Sequence, residues 1–236
     1  MTRSYSNYLD GQVKQLLDNL ADPKTPPDVY QEVMKTLGNK FGQTIADRCL
    51  ENSETKVHLA CTVEDADYLA RGIVETLEES SSNVSFSCFW NKRFSPFGQK
   101  DLKISPILKQ YQEPIEDDKV HSLIIVKSII SGACVVRTNL TNLIQKIEPE
   151  KILIVAPVIY KGAEDRLQSS FKPSIYEKFE FFYFAEDDER TDEGIVMPGI
   201  GGDVYQRLGF KDQDDKNRTT PQIVRERRNQ LLARIA

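Results

Sequence analysis

Residues 184–209 read FAEDDERTDEGIVMPGIGGDVYQRLG, and the reading of the whole chain depends on them. An aromatic run at 179–184 leads into the stretch and has the composition of a buried strand. The run Asp187, Asp188, Glu189 and Arg190 that follows is expected to be a solvated turn. Beyond it, Met197, Pro198, Gly199, Ile200 and Gly201 form a loop whose glycines let a backbone approach a flat partner closely, with Asp203 and Arg207 just downstream. Either a ligand-binding loop or a purely structural turn fits these residues.

Working upstream, short apolar runs alternate with helical periodicity. Residues 57–61, 84–90, 123–126 and 152–156 are strand candidates. Between the first two, Ala66, Leu69, Ile73 and Leu77 keep helical spacing, and Glu64 and Asp65 are placed in that helix's first turn, where the dipole favours carboxylates. Ser131, Gly132, Ala133 and Cys134 separate the 123–126 run from a helical stretch containing Val135, Leu140, Leu143, Ile144 and Ile147. Uninterrupted apolar runs separated by helices indicate parallel strands covered on both faces. The expected fold class is therefore α/β, an open, mainly parallel sheet flanked by helices, with ligands at the carboxyl ends of the strands.

Three flanking segments complete the organisation. Residues 1–52 are expected to be a helical N-terminal arm, because Leu9, Val13, Leu16, Leu17 and Leu20, then Val29, Tyr30, Val33, Met34 and Leu37, fall on helical faces. That stripe must bury itself against the domain at 53–210 or against another subunit, so a homo-oligomer is expected. The polar stretch between Trp90 and Ser122 is too long for an ordinary connection and predicts a hood, arm or mobile loop. Residues 211–236 are expected to be a charged, turn-like linker and a closing helix, with Thr220 as N-cap and Pro221 as first residue.

Composition narrows the function classes. The 236 residues are 39% apolar and 28% charged, with a formal net charge of −5, which argues against a global polyanion-binding surface. The closing helix carries Arg225, Arg227, Arg228 and Arg234, but Glu226 interrupts the set, so a nucleic-acid partner is not expected. No apolar stretch approaches the roughly 20 residues that span a bilayer, and the first residues contain no apolar core of a secretion signal. A cytoplasmic protein without a membrane partner is expected. Cys49, Cys61, Cys88 and Cys134 are scattered without metal-ligand spacing, and His58 and His121 lie far apart, so no metal site and no certain cofactor are predicted.

Three segments in order resemble the second half of a uracil phosphoribosyltransferase. Residues 123–134, LIIVKSIISGAC, are similar in placement to the family's donor-binding strand and loop. Residues 151–164, KILIVAPVIYKGAE, look like its next strand and exit, and 184–209 resembles its base-binding segment. The similarity spans about residues 55–210.

The resemblance implies transfer of ribose phosphate from PRPP, with Mg²⁺ accompanying the donor if it binds. It implies a phosphate-cradling loop at Ser131, Gly132, Ala133 and Cys134, and a base-reading loop at Met197, Pro198, Gly199, Ile200, Gly201 and Asp203. Small residues opening a helix suit a phosphate, and they equally suit a strand–helix turn that packs tightly. On the donor side the sequence departs from the family. Val126 and Lys127 stand where carboxylates should hold the ribose hydroxyls, and a lysine only donates. Lys127 is left to contact a phosphate or to cap exposed structure. The acidic turn Glu64, Asp65, Asp67 replaces a loop that should face a pyrophosphate. No catalytic residue is therefore assigned. The leading expectation is a protein of this fold with a degenerate PRPP site, serving as a nucleobase- or nucleotide-sensing or protein-interaction module. A divergent active uracil transferase is the alternative.

Overall fold

The computed structural model describes residues 2–50, 52–81, 83–99, 103–115 and 119–235, with residues 234 and 235 described in backbone only. Along the chain lie β1 (Arg3–Tyr5), α1 (Gly11–Ala21), α2 (Pro27–Cys49) and β2 (Val57–Thr62). A π-helical turn (Ala66–Ala70) runs into α3 (Arg71–Ser80), followed by β3 (Val84–Asn91), β4 (Ile107–Gln112), β5 (Lys119–Val126) and β6 (Ile129–Ile130). Next come α4 (Cys134–Leu143), β7 (Glu148–Tyr160), α5 (Ala163–Gln168), α6 (Pro173–Tyr176) and β8 (Phe179–Asp187). The chain closes with β9 (Glu189–Arg190), β10 (Val196–Met197), α7 (Val204–Arg207), α8 (Gln213–Arg218) and α9 (Gln222–Ile235).

Eight strands form one sheet in the order β1-β8-β7-β5-β2-β3-β4, with β6 added on β7. The interior pairs β3–β2, β2–β5, β5–β7 and β7–β8 are parallel, and the edge pairs β1–β8 and β3–β4 are antiparallel. Burial explains why the apolar runs are continuous. Every residue of β2 is buried, as are the last five of β5. Leu59, Ile124, Leu153 and Phe184 face one core, against α1, α2 and α3, where Phe41 stacks on Phe184 at 4.0 Å. Leu123, Ile125, Ile152 and Ile154 face the other, against α4 and α5. The α/β class and mainly parallel sheet expected from sequence are present.

The two long helices on the first face touch through glycine. A methyl group at Gly38 of α2 would run into the Leu69 carbonyl, and one at Gly72 of α3 into that of Lys35. Backbone approach of this kind fixes α3, and with it the turn that follows β2.

The flanks differ from expectation in three places. The N-terminal segment begins with an edge strand, since Arg3–Tyr5 pairs with the end of β8, before the two helices whose Val13, Leu17, Leu20, Tyr30 and Leu37 are buried. The stretch after Trp90 is not all loop, because Ile107–Gln112 adds an antiparallel edge strand. The segment after Lys211 is a helix, capped by the Asp212 carboxylate on the Asp215 amide at 2.7 Å. The cap expected from Thr220 comes from elsewhere. Asp67 accepts the Gln222 and Ile223 amides at 2.9 Å each, so the start of α9 is held by the turn before α3. Among the described residues no helix is long and apolar enough to cross a membrane.

Candidate functional site

The carboxyl ends of β2 and β5 lie side by side, because Cys61 pairs with Val126. Past β2, the Thr62 hydroxyl donates to Asp65 Oδ2 at 2.7 Å and the Asp65 amide donates to the Thr62 carbonyl, turning Glu64 and Asp65 inward. Past β5, Lys127 follows into the same space. Its Nζ donates to Thr62 Oγ1 at 2.9 Å, Glu64 Oε1 at 3.0 Å and Asp65 Oδ2 at 2.6 Å, which uses all three ammonium hydrogens. The Ser128 amide takes Asp65 Oδ1 at 3.0 Å. Lys216 of α8 arrives from far along the chain and donates to Glu64 Oε2 at 2.8 Å.

The cluster is closed to water and neutral in sum. Glu64, Asp65 and Lys216 are 4%, 1% and 1% exposed, Lys127 8%. Burying such ions costs several kcal/mol each, and only close opposite charge with full hydrogen bonding offsets that. Burial by itself would raise the Glu64 carboxyl, but Lys127 and Lys216 outweigh it and hold the group well below the usual carboxylate range. Burial would likewise lower the Lys127 ammonium, yet Asp65 and Glu64 keep it above the ordinary lysine value. Both sequence expectations for this region are therefore corrected. The Glu64 and Asp65 carboxylates are spent on Lys127, Lys216 and the Ser128 amide rather than on the start of the helix, and Lys127 does not cap exposed structure. The adjacent ends of β2 and β5 bring them together in the interior.

Around Lys216 the closure is made by aromatic and polar contacts. Its ammonium lies 5.0 Å from the Tyr205 ring centre, and the Tyr205 hydroxyl accepts from Arg93 at 3.0 Å. Gln213 and Arg93 exchange side-chain-to-backbone hydrogen bonds of 2.6 and 3.1 Å, so α8 is tied to the segment after β3.

The small-residue loop lies at the end of β6. Ala133 adopts φ 55°, a left-handed conformation unusual for a residue with a side chain, directly before α4. No side chain caps that helix, and a methyl group at Gly132 would meet nothing within 4 Å. Ser131 and Cys134 are half-buried, the Ser131 carbonyl accepts from Arg166 at 3.4 Å, and the Cys134 thiol contacts the Lys103 carbonyl at 3.1 Å.

The glycine-rich loop is built differently. Asp187 is fully buried rather than part of a solvated turn, because it receives Arg3 through two nitrogens at 2.8 Å and the Gly199 amide at 2.8 Å. Arg3 also donates to the Gly199 carbonyl at 2.7 Å, and the Tyr30 hydroxyl donates to that of Ile200 at 2.9 Å. The Gly201 amide returns to the Pro198 carbonyl at 3.2 Å. Gly199 and Gly201 have φ of 56° and 80°, and a methyl at either would strike the carbonyls of Val196 or Leu20. Met197 and Pro198 are half-buried, Asp203 caps α7 through the Tyr205 amide, and Arg207 donates to the carbonyls of Leu20, Asp22, Pro23 and Thr25. The two loops approach each other at Ile129, whose Cδ1 would lie 3.5 Å from a methyl at Gly199.

Sequence reasoning did not find Arg3, Lys216 or the inward role of Asp187. Each partner sits more than 150 residues away in the chain from the group it meets, and Lys216 belongs to a run of charges with no local pattern.

No family model matches the sequence, and neither does any curated protein. Among solved structures, the AQ2163 protein from Aquifex aeolicus superposes with a TM-score of 0.66 at 16% identity, covering 86% of this chain and 97% of that one. A hypothetical protein from Neisseria gonorrhoeae with bound ppGpp gives 0.44 at 12% identity, over 79% and 90% of the two chains. A hypoxanthine phosphoribosyltransferase from Staphylococcus aureus gives 0.42 at 8% identity, over 66% and 74%. The likeness to AQ2163 shows a shared fold.

Proposed function

We propose that this chain is a phosphoribosyltransferase-like protein that has lost PRPP transfer and works as a nucleobase- or nucleotide-sensing module. One observation carries the reading: the Lys127, Glu64, Asp65 and Lys216 cluster occupies the carboxyl ends of β2 and β5. The resemblance implies that the donor's ribose phosphate belongs at residues 123–134 and its pyrophosphate at the strand, loop and helix of residues 57–77, which is where those strand ends lie. An ion-paired, water-free cluster there leaves a highly anionic donor no unpaired cation and no space.

Mg²⁺ does not fit these residues either. A magnesium ion accompanying PRPP needs carboxylate or water oxygens, and both carboxylates here are engaged by ammonium groups. Among the described residues no group of three or more His, Cys, Asp or Glu side chains is placed to hold a metal ion. The uracil-type base loop at Met197–Asp203 remains the candidate ligand side. Its Gly199 and Ile200 carbonyls and Gly199 amide are already bonded internally, so recognition there would use its remaining edges and the half-buried Met197 and Pro198.

Calorimetry with PRPP and Mg²⁺, followed by a turnover assay with uracil, tests the reading. The expected outcome is no magnesium-dependent binding of PRPP and no nucleotide product, with uracil or UMP binding in the absence of PRPP. Conversion of uracil to its nucleotide would establish the divergent transferase instead, and binding of none of these compounds would favour a protein-interaction role.

A further inference from the structure

Outside the buried cluster, positive charge converges at one exposed place. Tyr160, the last residue of β7, has the Arg190 guanidinium 4.0 Å and the Arg166 guanidinium 5.1 Å from its ring centre. Both arginines are exposed, and among the described residues neither has a carboxylate within ion-pair distance. Arg166 spends one nitrogen on the carbonyls of Lys161 and Ser131, at 3.0 and 3.4 Å. Among the described residues Arg190 donates no side-chain hydrogen bond at all. Two like charges gathered on one ring repel each other, and cation–π contact at an exposed site is worth only about 0.5–1 kcal/mol. Two acids close to Arg190 in the chain are already engaged. Asp188 accepts the Thr2 amide, and Asp187 is committed to Arg3.

We propose that Arg166 and Arg190 hold the phosphate groups of a phosphorylated ligand, at a site made of other residues than the Lys127 cluster. Guanidinium forks match phosphate oxygens in pairs, and the Tyr160 ring keeps both forks oriented before the ligand arrives. Arg166 is tied to the Ser131 carbonyl, so a phosphate on this pair lies next to the Gly132 turn, where even an added methyl group would meet nothing within 4 Å. The inference rests on the sensing reading only for the ligand being a nucleotide; the phosphate site stands on the arginines.

The test uses the full chain and titrates sodium pyrophosphate and UMP separately by calorimetry at low and moderate salt. Wild type is expected to bind at least one of them in a salt-sensitive manner. Arg190→Ala and Arg166→Lys should each weaken that binding about tenfold or more, while Arg225→Ala, which removes an equal charge from α9, should change it little. Tighter binding of UMP identifies a phosphate ester as the ligand, and tighter binding of pyrophosphate a free diphosphate. If neither probe binds at millimolar concentration, or Arg190→Ala binds as wild type, or Arg225→Ala weakens binding equally, the site is refuted. Should Arg166→Lys fail to fold, Arg190→Ala decides alone, since its side chain donates no hydrogen bond to the described structure. The uracil turnover assay separates the two claims. Turnover would end the sensing reading and leave the arginine site standing, and unchanged binding in Arg190→Ala would do the reverse.

Discussion

Lys127 Nζ sits 2.6 Å from Asp65 Oδ2, joining the ends of two parallel strands through a charge pair that solvent does not reach. Glu64 binds the same ammonium on one oxygen and Lys216 on the other.

Removing one member should cost far more than the pair is worth. Lys127→Met leaves two buried carboxylates with only Lys216 to face them, and a loss of about 3–5 kcal/mol is expected. Chemical denaturation measures it. The double variant Lys127→Met, Asp65→Asn should recover a large part of that loss, because Glu64 and Lys216 then remain as a neutral pair. Equal stability of the single and double variants would show that packing, not charge, dominates the site.

His58 gives the fold a defined weakness to acid. It is fully buried on β2, with its ring nitrogens 2.8 Å from the hydroxyls of Ser85 and Ser87, and burial together with the nearby Arg227 pushes its pKa down from 6.5 to about 3. Between those values the unfolded chain binds a proton and the folded one does not, so stability falls as pH drops from about 6.5 towards 3. The contribution is on the order of a few kcal/mol. Glu64, held below its ordinary value, acts in the same direction at lower pH. Comparing wild type with His58→Gln isolates the histidine. The variant's stability should depend less steeply on pH between 4 and 6.5, and identical slopes would contradict the assignment.

Much of this was legible before any coordinates. The strands at 57–61, 123–126 and 152–156 are apolar because both faces of the sheet are covered, and that pattern survives in sequence without knowledge of partners. That a lysine follows β5 is plain from the sequence. What it meets is not, because Lys216 approaches Glu64 from 152 positions away and buried charge looks like surface charge in a sequence. The same limit hid Asp187. An acid in a run of acids reads as solvated until Arg3 is found across the sheet edge. Short edge strands such as β1 carry no periodicity of their own, since three residues cannot show a period of two.

The Arg3–Asp187 pair predicts a coupling between the N-terminal strand and the glycine-rich loop. Asp187→Asn keeps the shape but removes the charge that holds Arg3 and one acceptor of the Gly199 amide. A loss of about 1–3 kcal/mol is expected. Hydrogen exchange should quicken together at residues 3–5 and at 199–201. Faster exchange confined to one of the two segments would mean that they are held independently.

Asp67 caps α9 from outside the helix, and that contact links the closing helix to the buried cluster. Its carboxylate takes the Gln222 and Ile223 amides, while Trp90 Nε1 donates to the Thr219 carbonyl at 2.8 Å just before them. Lys216 lies a few residues earlier on the same segment, so loosening the start of α9 removes a restraint on the ammonium that Glu64 needs. Asp67→Ala should lower stability by about 0.5–2 kcal/mol, the ordinary cost of a lost cap. It should also flatten the acid dependence that Glu64 contributes, because a less firmly held Lys216 depresses the carboxyl less and the variant then has less to lose as pH falls. Gln222 and Ile223 donate to different oxygens of Asp67, so Asp67→Asn keeps an acceptor for one amide only and should lose an intermediate amount. Denaturation of the three proteins at pH 7 and pH 4 distinguishes the cases. If Asp67→Ala loses the same stability at both pH values, the cap and the cluster are separate devices, and Lys216 is positioned by α8 alone.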